Sequence, residues 1–355
     1  MSLTPSELLK DPLFQLNSLL WLTQPVPTDI EIKPLLHERG WTVYAIAQLL
    51  GPPLDVLLFA QRANISVQER VRPDVVLQQT PQRRFAFVEC KTSSFGSSST
   101  TADQARALLI VGGPRAAEVL GLSVSQVSES FVSYVLPDDQ RKLLDPTLEA
   151  LRKELGDKKI PVGNAILLGL QIAHNAVCIV VDPVGSASFD LPTGSTPFLT
   201  LEPDTDPRPV YFIPYDPDVD QTPQEKSFCK RILFERMLGA VVSAAGRVIP
   251  PFPTSLKTKS ILNDSTFGMY DHWENQESAK NMRGVCKHFM GKVMQAVNSA
   301  TPNSMSYQPG HGWLIQLQDR NHQERVLDTL TRFSCDTLDL QAEPPPSLFD
   351  EQEGV

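Results

Sequence analysis

The sequence predicts an α/β fold with a mixed central β-sheet flanked by helices, followed by a mainly helical C-terminal domain. Two observations predict it. Between residues 72 and 181, short apolar runs that suit buried strands alternate with helical segments. Beyond about residue 220, apolar residues recur at helical spacing in two long segments, 226–245 and 274–297. A sheet-containing core followed by helices therefore fits the whole chain.

The stretch Arg72–Lys91, RPDVVLQQTPQRRFAFVECK, predicts a β-hairpin. Two apolar runs flank a polar segment with Pro81 near its middle, which is the pattern of two strands joined by a turn. A loop over residues 79–84 would pair Gln78 with Phe85. That pairing fixes the register of the whole hairpin.

Three charged side chains then lie on one face of the hairpin. The register places Asp74 opposite Glu89, and alternation along the second strand brings Lys91 to the same face, about 7 Å from Glu89. Like charges that face each other at about 5 Å destabilise a strand pair, and a divalent cation between them reverses that effect. The alternative is polar strand ends without a function, but the surrounding apolar runs imply burial, which charged groups resist.

This pattern resembles the PD-(D/E)XK nuclease superfamily, which has the restriction-endonuclease-like fold. The matching residues are Pro73-Asp74 and Glu89-Cys90-Lys91, and the resemblance covers about residues 30–185. It implies Mg²⁺-dependent hydrolysis of phosphodiester bonds, above all in DNA, as part of a restriction or defence system, with Mn²⁺ able to substitute. Asp74, Glu89 and the main-chain carbonyl of Cys90 would bind the metal. Lys91 would orient or deprotonate the attacking water.

Two supporting residues follow from the same resemblance. Relatives carry an acid on the helix before the sheet, and Glu38 lies on a helix predicted over residues 34–51; an exposed helical glutamate is the alternative. Relatives also carry a glutamine on the helix after the second strand, where Gln104 lies. However, Thr101-x-x-Gln104 also forms a capping box, in which the glutamine would satisfy a main-chain N–H at the helix start.

The chain divides into five predicted segments. Further strands are predicted at residues 131–136, 165–172, 177–181 and 210–213, and a helix at residues 145–156. The segments are an N-terminal helical segment (1–29), the nuclease-like core (30–185), a proline-rich connection with some β-structure (186–222), a mainly helical accessory domain (223–341) and a disordered acidic tail (342–355).

The accessory domain invites a comparison with winged-helix proteins. In that interpretation the helix 274–297 reads nucleic acid through Lys280, Arg283 and Lys287, and Trp313 lies in the wing. The alternative is a helical domain that packs on the core or on a partner protein.

The net charge of −9 over 355 residues constrains the partners. Proteins that bind nucleic acid present basic surface to phosphates, so contact with DNA must come from local basic clusters or from a partner subunit, including another copy of the chain. A second function therefore stays open, that of a catalytically silent subunit that binds nucleic acid or assembles a larger complex.

Several other classes are disfavoured by the sequence. The five cysteines are odd in number and lack CxxC spacing, which argues against a disulfide framework or a structural zinc site. There is no HExxH, P-loop or GxSxG motif. The sequence contains no run of membrane-spanning length and no secretory h-region, so we expect a cytoplasmic protein that does not enter the membrane.

Overall fold

The computed structural model describes residues 4–25, 31–183, 188–201, 206–219, 221–274, 276–335 and 338. The chain divides into two compact units, Met1–Val210 with His272–Asn275, and Tyr211–Asp271 with Gln276–Val355. The predicted acidic tail lies outside the described residues. None of the described helices combines the length and the apolar character that a membrane crossing requires.

The first unit contains a seven-stranded mixed sheet in the described part of the chain, with the strands in sequence order. The two central pairs, β3 with β4 and β4 with β5, are parallel, and the outer pairs are antiparallel. This sheet confirms the predicted α/β class with a mixed sheet. The strands are β1 (Trp41–Ile46), β2 (Val75–Gln79), β3 (Arg84–Cys90), β4 (Glu129–Pro137), β5 (Asn164–Ala173), β6 (Ala176–Val181) and β7 (Gly194–Thr200).

Helices cover both faces of this sheet. The parallel strands are joined by helices α4 and α6, which pack on one face in a core that includes Phe85, Phe87 and Tyr134. Helix α2 packs against β1, β3 and β4, and its residues 13–23 are all buried. The helices are α1 (Pro5–Leu8), α2 (Pro12–Thr23), α3 (Leu54–Arg62), α4 (Thr100–Val111), α5 (Ala116–Val119) and α6 (Asp138–Asp157).

The helix predicted over residues 34–51 is wrong. Only a 3₁₀ turn, His37–Arg39, forms there, and Gly40 ends it with a φ of 80°. The next six residues, WTVYAI, form β1, in which Thr42 and Tyr44 are half-buried and the other four residues are buried. β-Branched and aromatic side chains in alternation favour a strand, and pairing with β2 outweighs the local helical pattern.

The proline-dense region also differs from the prediction. Strand β7 lies within the connection predicted over residues 186–222 and pairs with β6. The prediction of some β-structure in that connection is therefore confirmed. The strand predicted at residues 210–213 does not form. A 3₁₀ turn, Arg208–Val210, precedes irregular but buried chain, because Pro207, Pro209 and Pro214 remove the N–H groups that a ladder requires.

The second unit confirms the helical C-terminal region. Its longest helices, Pro223–Arg247 and Gln276–Ala300, coincide with the two predicted ones. A three-stranded antiparallel sheet has Gly312–Ile315 between Thr254–Leu256 and Met305–Gln308. Two shorter helices, Thr258–Ser265 and Arg320–Thr331, complete the described part.

Candidate functional site

The predicted hairpin register is confirmed. Gln78 pairs with Phe85, and the ladder runs from Gln79 and Arg84 to Val75 and Val88. The strands are one residue longer at the turn than predicted, which shortens the loop to residues 80–83. One step beyond the ladder the chain positions Asp74 and Glu89 at the carboxyl end of β3, where open α/β sheets bind their ligands.

Asp74 is fixed by main-chain groups of both neighbouring segments. The N–H of Cys90 donates to Asp74 Oδ2 at 2.6 Å. The main-chain carbonyl of Asp74 accepts the N–H of Ala47 at 3.0 Å. The carboxylate is therefore held against the end of β3, beside Glu89.

Glu89 is a buried acid with one satisfied oxygen. Its Oε1 accepts hydrogen bonds from Lys91 Nζ at 2.7 Å and from Gln104 Nε2 at 2.9 Å. Its Oε2 is buried and has no hydrogen-bond partner among the described residues. Burial raises the pKa of Glu89. The charge and hydrogen bond of Lys91, the hydrogen bond of Gln104 and the main-chain N–H of Asp74, which lies near the carboxylate outside hydrogen-bonding geometry, all act to lower it. The site thus holds a carboxylate oxygen that is inside the protein and that no described hydrogen bond uses.

Lys91 is paired with Glu89 at the edge of the site. Its side chain is 23% exposed, and its Nζ also lies 3.4 Å from Gln104 Oε1. Burial acts to lower the pKa of Lys91, but the charge and the hydrogen bond of Glu89 outweigh it, so the pKa lies above its ordinary value. Lys91 is therefore an ammonium at neutral pH, a donor and a positive charge rather than a base.

Gln104 lies in the site and not in a helix cap. The N-cap of α4 is Ser99, whose hydroxyl accepts the N–H of Ala102 at 3.2 Å, so the capping box predicted for Thr101 and Gln104 does not form. The Gln104 amide instead joins Glu89 and Lys91. It orients both charged groups.

Glu38 does not lie in the site formed by Asp74, Glu89 and Lys91. It lies on a 3₁₀ turn rather than a helix, its side chain is 57% exposed, and its nearest cation is Arg39 at 3.9 Å. No described hydrogen bond or ion pair joins it to the site. The structure therefore agrees with the alternative of an exposed glutamate.

The three predicted nucleic-acid contacts do not form one exposed face. Lys280 is exposed, but Arg283 is half-buried and donates to the Tyr270 hydroxyl at 3.3 Å, and Lys287 is only 7% exposed. Trp313, predicted in a wing, is fully buried. A reading surface built on Lys287 is therefore wrong, because helix packing within the second unit decides which side chains reach solvent.

One residue near the site was missed by the sequence reasoning. Tyr134 of β4 is the direct parallel partner of Glu89. Its hydroxyl is buried without a hydrogen-bond partner among the described residues. Burial, together with the charge of Glu89, raises the pKa of Tyr134 well above its ordinary value. The only sequence signal was a tyrosine inside the apolar run FVSYVL, and the pairing of β3 with β4 cannot be read from it.

The donor set suits a hard cation only in part. Among the described residues, no group of three or more His, Cys, Asp or Glu side chains is arranged to hold a metal ion. Asp74 and Glu89 supply two carboxylates. The main-chain carbonyl of Cys90, the residue directly after Glu89, is the third predicted ligand. Mg²⁺ commonly uses one or two carboxylates and completes its shell with water and phosphate, so two carboxylates fall within the range seen for that ion.

No family model, curated protein or solved structure matches this chain. The fold and the site define an α/β protein with a buried carboxylate, a second carboxylate and an ammonium at the end of a hairpin strand.

Proposed function

We propose that the protein is a Mg²⁺-dependent nuclease that hydrolyses phosphodiester bonds, above all in DNA. The observation that carries the proposal is the environment of Glu89. Its Oε2 is buried with no partner among the described residues, while Asp74, Lys91 and Gln104 surround the rest of the group. An anionic oxygen left in this state is costly unless a cation binds it.

The residues fit Mg²⁺, with Mn²⁺ as a substitute. Glu89 Oε2, the Asp74 carboxylate and the Cys90 carbonyl are the oxygen ligands that would hold it. When bound, the metal would polarise the scissile phosphate and lower the pKa of a water molecule. The second structural support is Gln104, which fixes Glu89 Oε1 and so leaves Oε2 to face the ligand.

The chain's own residues would perform positioning and charge stabilisation. The Cys90 N–H holds Asp74, and the Gln104 amide holds Glu89 and Lys91. The Lys91 ammonium would orient the attacking water and offset the negative charge that develops on phosphate. Because its pKa is raised, Lys91 would act as a donor.

We further infer that the C-terminal region holds the nucleic acid. Residues 221–335 contain 14 Lys and Arg against nine Asp and Glu, whereas residues 1–220 contain 18 against 26. This excess of basic residues lies within 221–335 and is followed by six Asp and Glu at 336–355. Lys230 and Lys287 are buried, so contacts with phosphate would use exposed side chains such as Lys280. The order helix, strand, helix, helix, strand, strand, with the last strand at the centre of its sheet, resembles a winged-helix arrangement.

Cleavage by a Lys91→Ala variant tests the proposal. We expect wild-type protein to cut plasmid DNA with Mg²⁺ or Mn²⁺ and not with EDTA, and the variant to lose about 10²-fold or more of the rate. Circular dichroism checks that the fold is retained. Lys142→Ala is the matched control, because that lysine is 70% exposed and lies on α6 of the same unit. Equal rates for wild type and Lys91→Ala, or cutting in EDTA, would contradict the proposal.

A second candidate is a catalytically silent subunit that binds nucleic acid or assembles a complex. One observation favours it. Helix α3 exposes Leu54, Leu58 and Phe59, by 72%, 44% and 48%, and exposed apolar side chains in a cluster often mark contact with another protein. DNA binding without cleavage, equal in wild type and Lys91→Ala, would support this candidate instead.

A further inference from the structure

Tyr134 and Glu89 form a pair of unsatisfied groups on neighbouring strands. They are direct partners in the β3–β4 ladder, so their side chains project from the same face of the sheet. The Tyr134 hydroxyl is a donor and Glu89 Oε2 is an acceptor. Both atoms are buried, and neither has a hydrogen-bond partner among the described residues, including each other.

This coincidence separates Tyr134 from other buried polar atoms. Ser133 Oγ and Trp41 Nε1 are also buried without a partner, but neither is the ladder partner of a site carboxylate. A water or a phosphate oxygen bound against Glu89 can accept from a phenol on the adjacent strand. Such an oxygen would satisfy the hydroxyl, which carries the full cost of lost hydration when it stays unpaired.

The loop after β3 packs on the Tyr134 ring. The half-buried Phe95 packs on the Tyr134 ring with 6.1 Å between centroids. Ser94 is held by the Gln140 side chain through two contacts of 3.2 Å. The segment 92–99, to which both residues belong, is rich in serine, and its residues are half-buried or exposed.

We propose that Tyr134 is a further residue of the site, whose hydroxyl donates a hydrogen bond to a water or phosphate oxygen bound beside Glu89. This rests on the proposed nuclease function. The phenol would hold that oxygen in place while Glu89 Oε2 and Asp74 hold the metal.

Tyr134→Phe tests the proposal through two independent readouts. It removes the hydroxyl and keeps the ring, so in EDTA we expect the thermal midpoint to rise by about 2–4 °C, since an unsatisfied buried group is deleted. In cleavage assays we expect at least a tenfold loss. A loss in kcat with unchanged KM indicates the water, and a rise in KM indicates the phosphate oxygen. Tyr44→Phe is the control, because Tyr44 is half-buried on β1, and neither readout should change.

The outcomes separate the two proposals. A lower midpoint for Tyr134→Phe would show that the hydroxyl already has a structural partner and would overturn this inference, as would unchanged kcat and KM. If wild-type protein fails to cut, the nuclease function fails. The shift of the midpoint on adding Mn²⁺ then decides the role of Tyr134. A smaller shift in Tyr134→Phe supports it, and an equal or absent shift overturns it.

Discussion

Replacement of Glu89 by glutamine should have opposite effects on stability and on activity. Glu89 is 4% exposed, and one of its carboxylate oxygens has no partner among the described residues. A neutral amide can keep the Oε1 contacts to Lys91 and Gln104, but the NH₂ group that replaces Oε2 is unpaired in turn, so the gain comes from removing the buried charge alone. That gain is about 1–3 kcal/mol, and the weaker contact to Lys91, whose side chain is 23% exposed and can turn toward solvent, loses about 1 kcal/mol. The net gain of about 1 kcal/mol should raise the thermal midpoint of metal-free protein by about 2–4 °C at neutral pH.

The gain in stability of Glu89→Gln over the wild type should increase with pH. The pKa of Glu89 in the folded protein lies above its ordinary value of 4.5, because burial disfavours the charged form. Folded protein therefore binds more protons than unfolded protein above pH 4.5, and its stability falls as the pH rises through the folded pKa. Glu89→Gln lacks this loss. The difference in midpoint should be largest at neutral pH and should close as the pH approaches 4.5.

Metal should reverse the order of stability. Mg²⁺ or Mn²⁺ at about 100 times its Kd would stabilise the wild type by about 2.7 kcal/mol and leave Glu89→Gln nearly unchanged. Differential scanning calorimetry in EDTA and in metal measures both states, with Glu149→Gln as the control because that glutamate is 66% exposed. A variant that is less stable than wild type in EDTA would refute the reasoning, since Glu89 would then be a structural partner of Lys91.

Two further pairs of variants separate site from scaffold. Gln104→Leu should lower cleavage at least tenfold with little change in the α4 helix. Ser99→Ala should lower the free energy of unfolding by about 1 kcal/mol and leave cleavage intact, because Ser99 only caps the helix. Kinetics and calorimetry on both variants test this, and equal activity losses would contradict it. Lys280→Ala should weaken DNA binding and reduce the salt dependence of that binding without affecting stability. Lys287→Ala should destabilise the protein, because Lys287 is buried. A Lys287→Ala variant as stable as wild type would be inconsistent with the buried position of Lys287.

The hairpin could be predicted because its information is local. Two apolar runs and one turn fix a register, and Gln78 does pair with Phe85. The register then determines the neighbourhood of Asp74 and Glu89 without any knowledge of the rest of the chain. The metal and the catalytic role that this geometry suggests stay predictions.

The failures depended on contacts between distant segments. Strand β1 forms because Trp41 and Val43 are buried on pairing with β2, and apolar periodicity alone did not separate this strand from a helix. The role of Gln104 depended on whether Ser99 or Thr101 begins α4. Tyr134 lies beside Glu89 because β3 pairs with β4, and about 40 residues of connecting chain separate these two strands in the sequence.

Two buried charged residues in this sheet, Arg84 and Glu89, differ in how completely their side chains are hydrogen-bonded. Arg84 is also buried, at 9% exposure, but its guanidinium bonds to Glu129 at 2.7 Å, to Gln79 at 3.0 Å and to Asp190 at 3.1 Å. The buried charge of Arg84 is thus balanced by hydrogen bonds and ion pairs that stabilise the fold. Glu89 has comparable burial, yet one of its oxygens has no hydrogen-bond partner among the described residues and its pKa is raised. Burial with incomplete pairing destabilises the fold, and the proposed metal site rests on this difference between Glu89 and Arg84.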